Sequence, residues 1–230
     1  MRIINLIYGD FRFQFKYGFY FIYAVFTIMY ILIIRFIPSE WVEWRETVSV
    51  VLIFSDPSAV GLFFMGAIVL LEKSERVLST IAVSPVGADE YIISKVVSLG
   101  IISAIAGASI ALSADAENIL IVISGVFIGS ALFTLVGLII AVNINSLNQF
   151  VAAAAPVEII IFTPPILYLL GYNNKLMLLH PGCMIIDMVG GGNEYLLFFI
   201  PALIVWFLFL YKMARTDVIK MFQSPGGIKL

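Results

Sequence analysis

Long apolar runs dominate the chain, separated by short polar or charged connections. The runs are continuous rather than alternating, which argues against membrane-spanning strands and for helices. A helix needs about 20 apolar residues to cross roughly 30 Å of hydrocarbon. Stretches 18–37, 48–71, 91–113, 118–142, 150–171 and 195–211 are long enough. The pattern predicts an all-α polytopic membrane protein with six transmembrane helices. Residues 1–17 precede the six-helix domain at 18–212, and 213–230 form a tail. No internal repeat or second folded domain is expected.

Composition narrows the class. Hydrophobic residues make up 62% and charged residues 12% of the 230 residues, and mean hydropathy is +1.07. A soluble domain is about 25% charged, so this chain cannot cover a water-facing surface, and a soluble enzyme is excluded. The net charge of −2 and the lack of a basic patch exclude a nucleic-acid binder. The single cysteine, Cys183, rules out an internal disulfide framework and a cysteine-built metal site. No cleavable signal peptide is expected, because the first apolar run is too long and no small-x-small site follows it.

Charge then orients the spans. Arg2, Arg12, Lys16, Lys73, Arg76, Lys95, Lys212, Arg215, Lys220 and Lys229 fall on one side, against Arg35, Arg45 and Lys175 on the other. The positive-inside rule places both termini in the cytoplasm, in the inner membrane. The outer connections are acidic, with Glu40, Glu43 and Glu46 in the first and Asp115 and Glu117 in the second.

Two connections are long. Residues 72–90 (EKSERVLSTIAVSPVGADE) are charged at both ends and apolar in the middle. Glu72 and Lys73 stand where the second span leaves the membrane, and Glu72 and Arg76 have the spacing of a helix-surface ion pair. Val77, Leu78, Ile81, Ala82 and Val83 form an apolar patch on a short helix within about 74–88, stopped by Ser84-Pro85-Val86-Gly87. Asp89 and Glu90 then open the next helix, where the macrodipole prefers acids. Such a helix suits a partner's groove or lies on the membrane as a solvated connector. The outer connection, about 172–194, is punctuated by His180-Pro181-Gly182 and by glycines 190–192.

The N-terminal segment also has a pattern. Ile4, Ile7, Phe11 and Phe15 follow helical spacing beside Arg2, Arg12 and Lys16, as in an interfacial helix. The alternation in FRFQFK is the mark of its rival, a short extended piece.

Two carboxylates fall inside spans, where a charge costs about 2.5–3.5 kcal/mol. Asp56, before Pro57, suits an N-cap of a helix restarting at Pro57, or contact with a substrate. Glu158 lies between Pro156 and Thr163-Pro164-Pro165, among helical turns that proline is expected to break. It either holds the kink or contributes a polar contact to a translocation path. His180 reads as an outer-loop residue, with too few nearby ligands for a metal. The small-residue faces Gly107/Ala111, Gly125/Gly129 and Ala152–Ala155 permit close helix packing, with internal contact favoured over a dimer seam.

The pattern E-K-x-E-x-x-L-x-x-I-x-V-S-P, then x-x-x-x-E-Y-x-x-x-K, resembles the second intracellular loop of type-2 ABC exporter permeases. Glu72, Lys73, Leu78, Val83, Ser84, Pro85 and Lys95 hold the matching positions. DFRFQFKYGFY at 10–20 and FSDPSAVGLFF at 54–64 resemble the small permease subunits of fluoroquinolone exporters. The resemblance covers the first hundred residues. It implies a coupling helix that seats in an ATPase, with Glu72, Lys73, Arg76, Val77, Leu78, Ile81, Val83, Ser84 and Pro85 as its residues. It implies an elbow helix on the inner leaflet, including Asp10, Phe11, Arg12, Phe15 and Lys16. It also implies two short helices in the outer loop.

The expected function is the permease subunit of an ABC exporter, moving an amphipathic drug-like or lipid-like molecule outward. No G-x-x-x-x-G-K-[ST] segment occurs, so ATP and Mg are expected on a partner ATPase in two copies, and no cofactor on this chain. Six spans imply a second permease, identical or related. The alternative is a proton- or ion-coupled carrier using Asp56 and Glu158. An intramembrane hydrolase would need a further base or metal ligand in the bilayer, so no enzymatic role is expected.

Overall fold

The computed structural model describes residues 2–172 and 174–223; Lys229, with the rest of 224–230, lies outside the described residues. Ten α-helices follow in order: α1 (Arg2–Lys16), α2 (Phe19–Phe36), α3 (Val42–Ile53), α4 (Val60–Ser74), α5 (Val77–Ala82), α6 (Ala88–Ser113), α7 (Ile119–Val142), α8 (Leu147–Leu169), α9 (Pro181–Val189) and α10 (Leu196–Gln223). No strand occurs among the described residues. Six lengths of helix are long and apolar enough to cross a membrane, with α3 and α4 together forming the second.

Helix α7 is the centre of the bundle, packed against α4, α6, α9 and α10. Glycine permits the closest approach: a Cβ on Gly137 would stand 2.6 Å from the Leu62 carbonyl oxygen of α4. Gly125 of α7 lies against Met188 of α9, and Gly107 of α6 against Val126 of α7. The small-residue faces at Gly107 and Gly125 therefore serve internal packing.

The second span is interrupted where expected but by a different device. Pro57 has no N–H to continue the ladder, and the chain widens into a π-helical turn at Phe54–Ser58. Asp56 sits inside this turn and caps nothing; α4 begins at Val60 rather than at Pro57. Helix α8, by contrast, is unbroken through Pro156, Pro164 and Pro165, correcting the expectation of broken turns. Proline is tolerated in membrane helices when other groups meet the freed carbonyls.

Three further observations concern the ends and connections of elements. The N-terminal segment is helical from Arg2 to Lys16, which settles against the extended alternative. The last span continues as one helix to Gln223, so much of the expected tail is helix. The outer connection holds a 3-10 turn at Lys175–Leu179 and then α9, whose Cys183, Met184, Ile185 and Ile186 are buried against the bundle. Helix α9 is thus part of the core.

Candidate functional site

Helix α5, the start of α6 and the last turns of α10 meet at one end of the bundle, called basal here, and α1 packs along it. The residues singled out in the sequence converge at this end through a buried ion triad. Lys95 of α6 bonds both Asp10 of α1 and Glu72 of α4, with Glu72 at 2% exposure and Lys95 at 1%. The Tyr91 hydroxyl donates to the second Glu72 oxygen at 2.6 Å. One helical turn along, Gln14 of α1 donates to Ser98 of α6 at 3.0 Å. Arg2 reaches the Pro85 carbonyl at 3.3 Å. Partners thus advance together along both helices, so α1 runs parallel to the start of α6.

Helix α1 is consequently inverted. Its polar Asp10 and Gln14 face inward and are buried, while Ile4, Tyr8 and Phe15 are exposed. Phe11 is half-buried. Arg12 lies over the Tyr8 ring and Lys16 over the Tyr17 ring. An apolar outer face with flanking cations suits the lipid interface.

The neighbouring residue does the opposite task. Lys73 reaches the C-terminus of α7, donating to the carbonyls of Ala141 at 3.1 Å, Val142 at 2.9 Å and Ile144 at 2.5 Å. A cation there also meets the negative end of the α7 dipole. Adjacent side chains at the end of α4 therefore tie it to α1 and α6 on one side and to α7 on the other. The expected Glu72–Arg76 ion pair does not form. Arg76 leaves the helix at φ 55, in the left-handed region, and is exposed.

Helix α5 hangs from these tethers. Leu78 is a core residue at 1% exposure, in one cluster with Tyr91, Val218 and Met221. Val77 and Ile81 are half-buried, whereas Val83 is 86% exposed and Pro85 is exposed. Ser84 closes the turn, donating to the Ile81 carbonyl at 2.7 Å and accepting from the Val86 N–H at 3.3 Å. The apolar patch is therefore divided: Leu78 anchors the helix and Val83 is presented outward. Asp89 fixes α10 alongside, accepting from Arg215 at 2.8 Å and from Tyr211 at 2.7 Å.

Tyr91, Gln14 and Ser98 were not singled out from the sequence, although Gln14 lies one turn from Asp10 on the same helix face. That pairing of polar residues was the available signal.

The remaining candidates stand apart from this cluster. Asp56 lies within electrostatic reach of Tyr30 of α2. Glu158 is half-buried on α8 with no ion pair among the described residues. At the opposite end Arg45 of α3 bonds the Ser113 carbonyl at 2.7 Å and Asp115 at 3.0 Å. His180 caps α9, its Nδ1 accepting from the Gly182 N–H at 3.2 Å, and burial holds its pKa below the usual histidine value. Burial likewise raises the Asp187 carboxyl, which accepts from Tyr168 at 3.1 Å. No group of metal-ligating side chains occurs among the described residues.

Six apolar helices around a glycine-packed centre, with most of the charge gathered in tethers at their ends, define a multi-pass membrane protein. The chain matches the profile of the fluoroquinolones export permease protein family over residues 1–216. It belongs to that family. Fluoroquinolones export permease proteins of two Mycobacterium tuberculosis strains, CDC 1551 / Oshkosh and ATCC 25618 / H37Rv, are each 28% identical to it over 151 residues. The match takes in 60% of this chain and 64% of each relative, so the chain spans rather less than two thirds of their length.

Proposed function

We propose that this chain is the permease subunit of an ABC exporter, carrying an amphipathic drug-like or lipid-like molecule outward. ATP and Mg bind a separate ATPase, present in two copies, and this chain catalyses no reaction. A second permease, identical or related, completes the path. The basal end faces the cytoplasm, with both termini, in the inner membrane. Family membership supports this reading, and so does the name of the mycobacterial relatives.

The observation that carries it is the mounting of α5. A free-standing connector would swing without moving the spans. Here Leu78 is locked in the core, and the triad and Lys73 join the adjoining helix end to α1, α6 and α7. A push delivered at Val83 and Pro85 is thereby shared among several helices. This is the mechanical property a coupling helix needs, since packed interiors transmit strain rather than absorb it. Helix α1, in the elbow position, is part of the same block.

The test uses the full chain co-expressed with an ATPase encoded beside it. Wild type is expected to retain an active ATPase through purification. Val83→Asp, at an exposed position, should weaken retention about tenfold or more, as for a contact worth over 1 kcal/mol, with no change in thermal unfolding. If wild type retains no ATPase, the exporter reading fails. Transport without ATP would instead support the ion-coupled alternative.

A further inference from the structure

Asp56 is a carboxylate within the second span, and no cation is supplied to it. Among the described residues no Lys, Arg or His pairs with it. Oδ2 of Asp56 is buried with no hydrogen-bond partner. Tyr23 and Tyr30, two turns apart on one face of α2, both lie within electrostatic reach of it. The carboxylate stands in a π-helical turn, a departure from regular helix that recurs at functional sites. The approach is open: Asp56 is only partly buried, the adjoining Ser55 is exposed, and among the side chains of α2 only Phe19, Tyr23 and Ile34 are buried.

We infer that Asp56, beside Tyr30, binds the positively charged nitrogen of an amphipathic organic cation. The inference rests on the export reading and adds the charge class of the molecule carried. The partly exposed carboxylate of Asp56 takes the ion pair. The Tyr30 ring attracts the same charge through its quadrupole, and the low dielectric strengthens both effects. A neutral molecule of the same shape gains neither. The apolar body of the cation then lies against the exposed aliphatic and aromatic side chains of α2.

The experiment uses the full chain in discs of zwitterionic lipid, without any ATPase. Binding of a fluorescent alkyl-pyridinium, whose charge is fixed, is compared with its uncharged alkyl-phenyl analogue after subtraction of empty discs. Wild type should prefer the cation by about tenfold or more. Asp56→Asn should abolish the preference, and Asp56→Glu should retain most of it. A wild type that does not discriminate, or an Asp56→Asn that still does, overturns the inference. A second readout needs no variant: the pyridinium should protect Asp56 of wild type from a hydrophobic carbodiimide, read by mass spectrometry, and the neutral analogue should not. Equal labelling with and without the pyridinium also overturns it. Neither readout involves the ATPase. Charge-selective binding without ATPase retention would sink the export reading alone, and the reverse result would sink this inference alone.

Discussion

At the scale of the residue, the basal end depends on a lysine between two carboxylates. Burying three charges is costly, and their attraction offsets that cost only while all three are present. Lys95→Met would leave Asp10 and Glu72 buried together without a counterion. The expected loss is about 3–5 kcal/mol, the range for breaking a buried pair, measured by denaturant unfolding in detergent. Arg76→Ala, at an exposed position without the anticipated ion pair, should change stability far less. The sequence displayed Asp10, Glu72 and Lys95 in three recognisable blocks. Their convergence was not legible, because 85 residues separate Asp10 from Lys95 and no local spacing rule spans that distance. The Glu72–Arg76 expectation failed for a related reason. Spacing identifies neighbours only while the helix continues, and the backbone turns away at Arg76.

Elements were easier to read than their interiors. All six spans follow from apolar run length, with ends off by a few residues except at the start of α3 and the end of α10, whose last turns pack Ala214, Val218 and Met221 into the core beside α5 and α6. Prolines misled in both directions. Pro57 produced a π-helical turn rather than a new helix start, and the three prolines of α8 broke nothing. Periodicity does not say whether a neighbouring group will meet a freed carbonyl. Nor could composition show that α9 is core, since its apolar residues are too few for a span and lie among loop signals. Close packing gives the sharpest prediction at this scale. Gly137→Ala would press a Cβ against the Leu62 carbonyl and should cost about 1–3 kcal/mol, as for an overpacked core. Thermal unfolding of the purified variant in detergent measures it.

For the whole molecule, an even number of spans puts α1 and the end of α10 together, and the structure packs both at the basal end. The buried Cys183 makes labelling of introduced cysteines straightforward to interpret. Val83→Cys and Lys212→Cys should react with an impermeant maleimide only in inverted vesicles, and Trp41→Cys only in intact cells after outer-membrane permeabilisation where one is present. Reaction of Val83→Cys from outside would reverse the proposed orientation. Residue charges alone predicted this topology, because translocation cost acts on each loop separately and needs no tertiary contact.

The inverted face of α1 has a consequence for biosynthesis. Asp10 leaves the ribosome 85 residues ahead of Lys95. At 5–20 residues per second that is a wait of roughly 4–17 s. During it the helix has no bundle to receive its polar side, while Ile4, Tyr8 and Phe15 can already settle at the bilayer surface. Helix α1 is thus seated at the basal end only when the third span arrives.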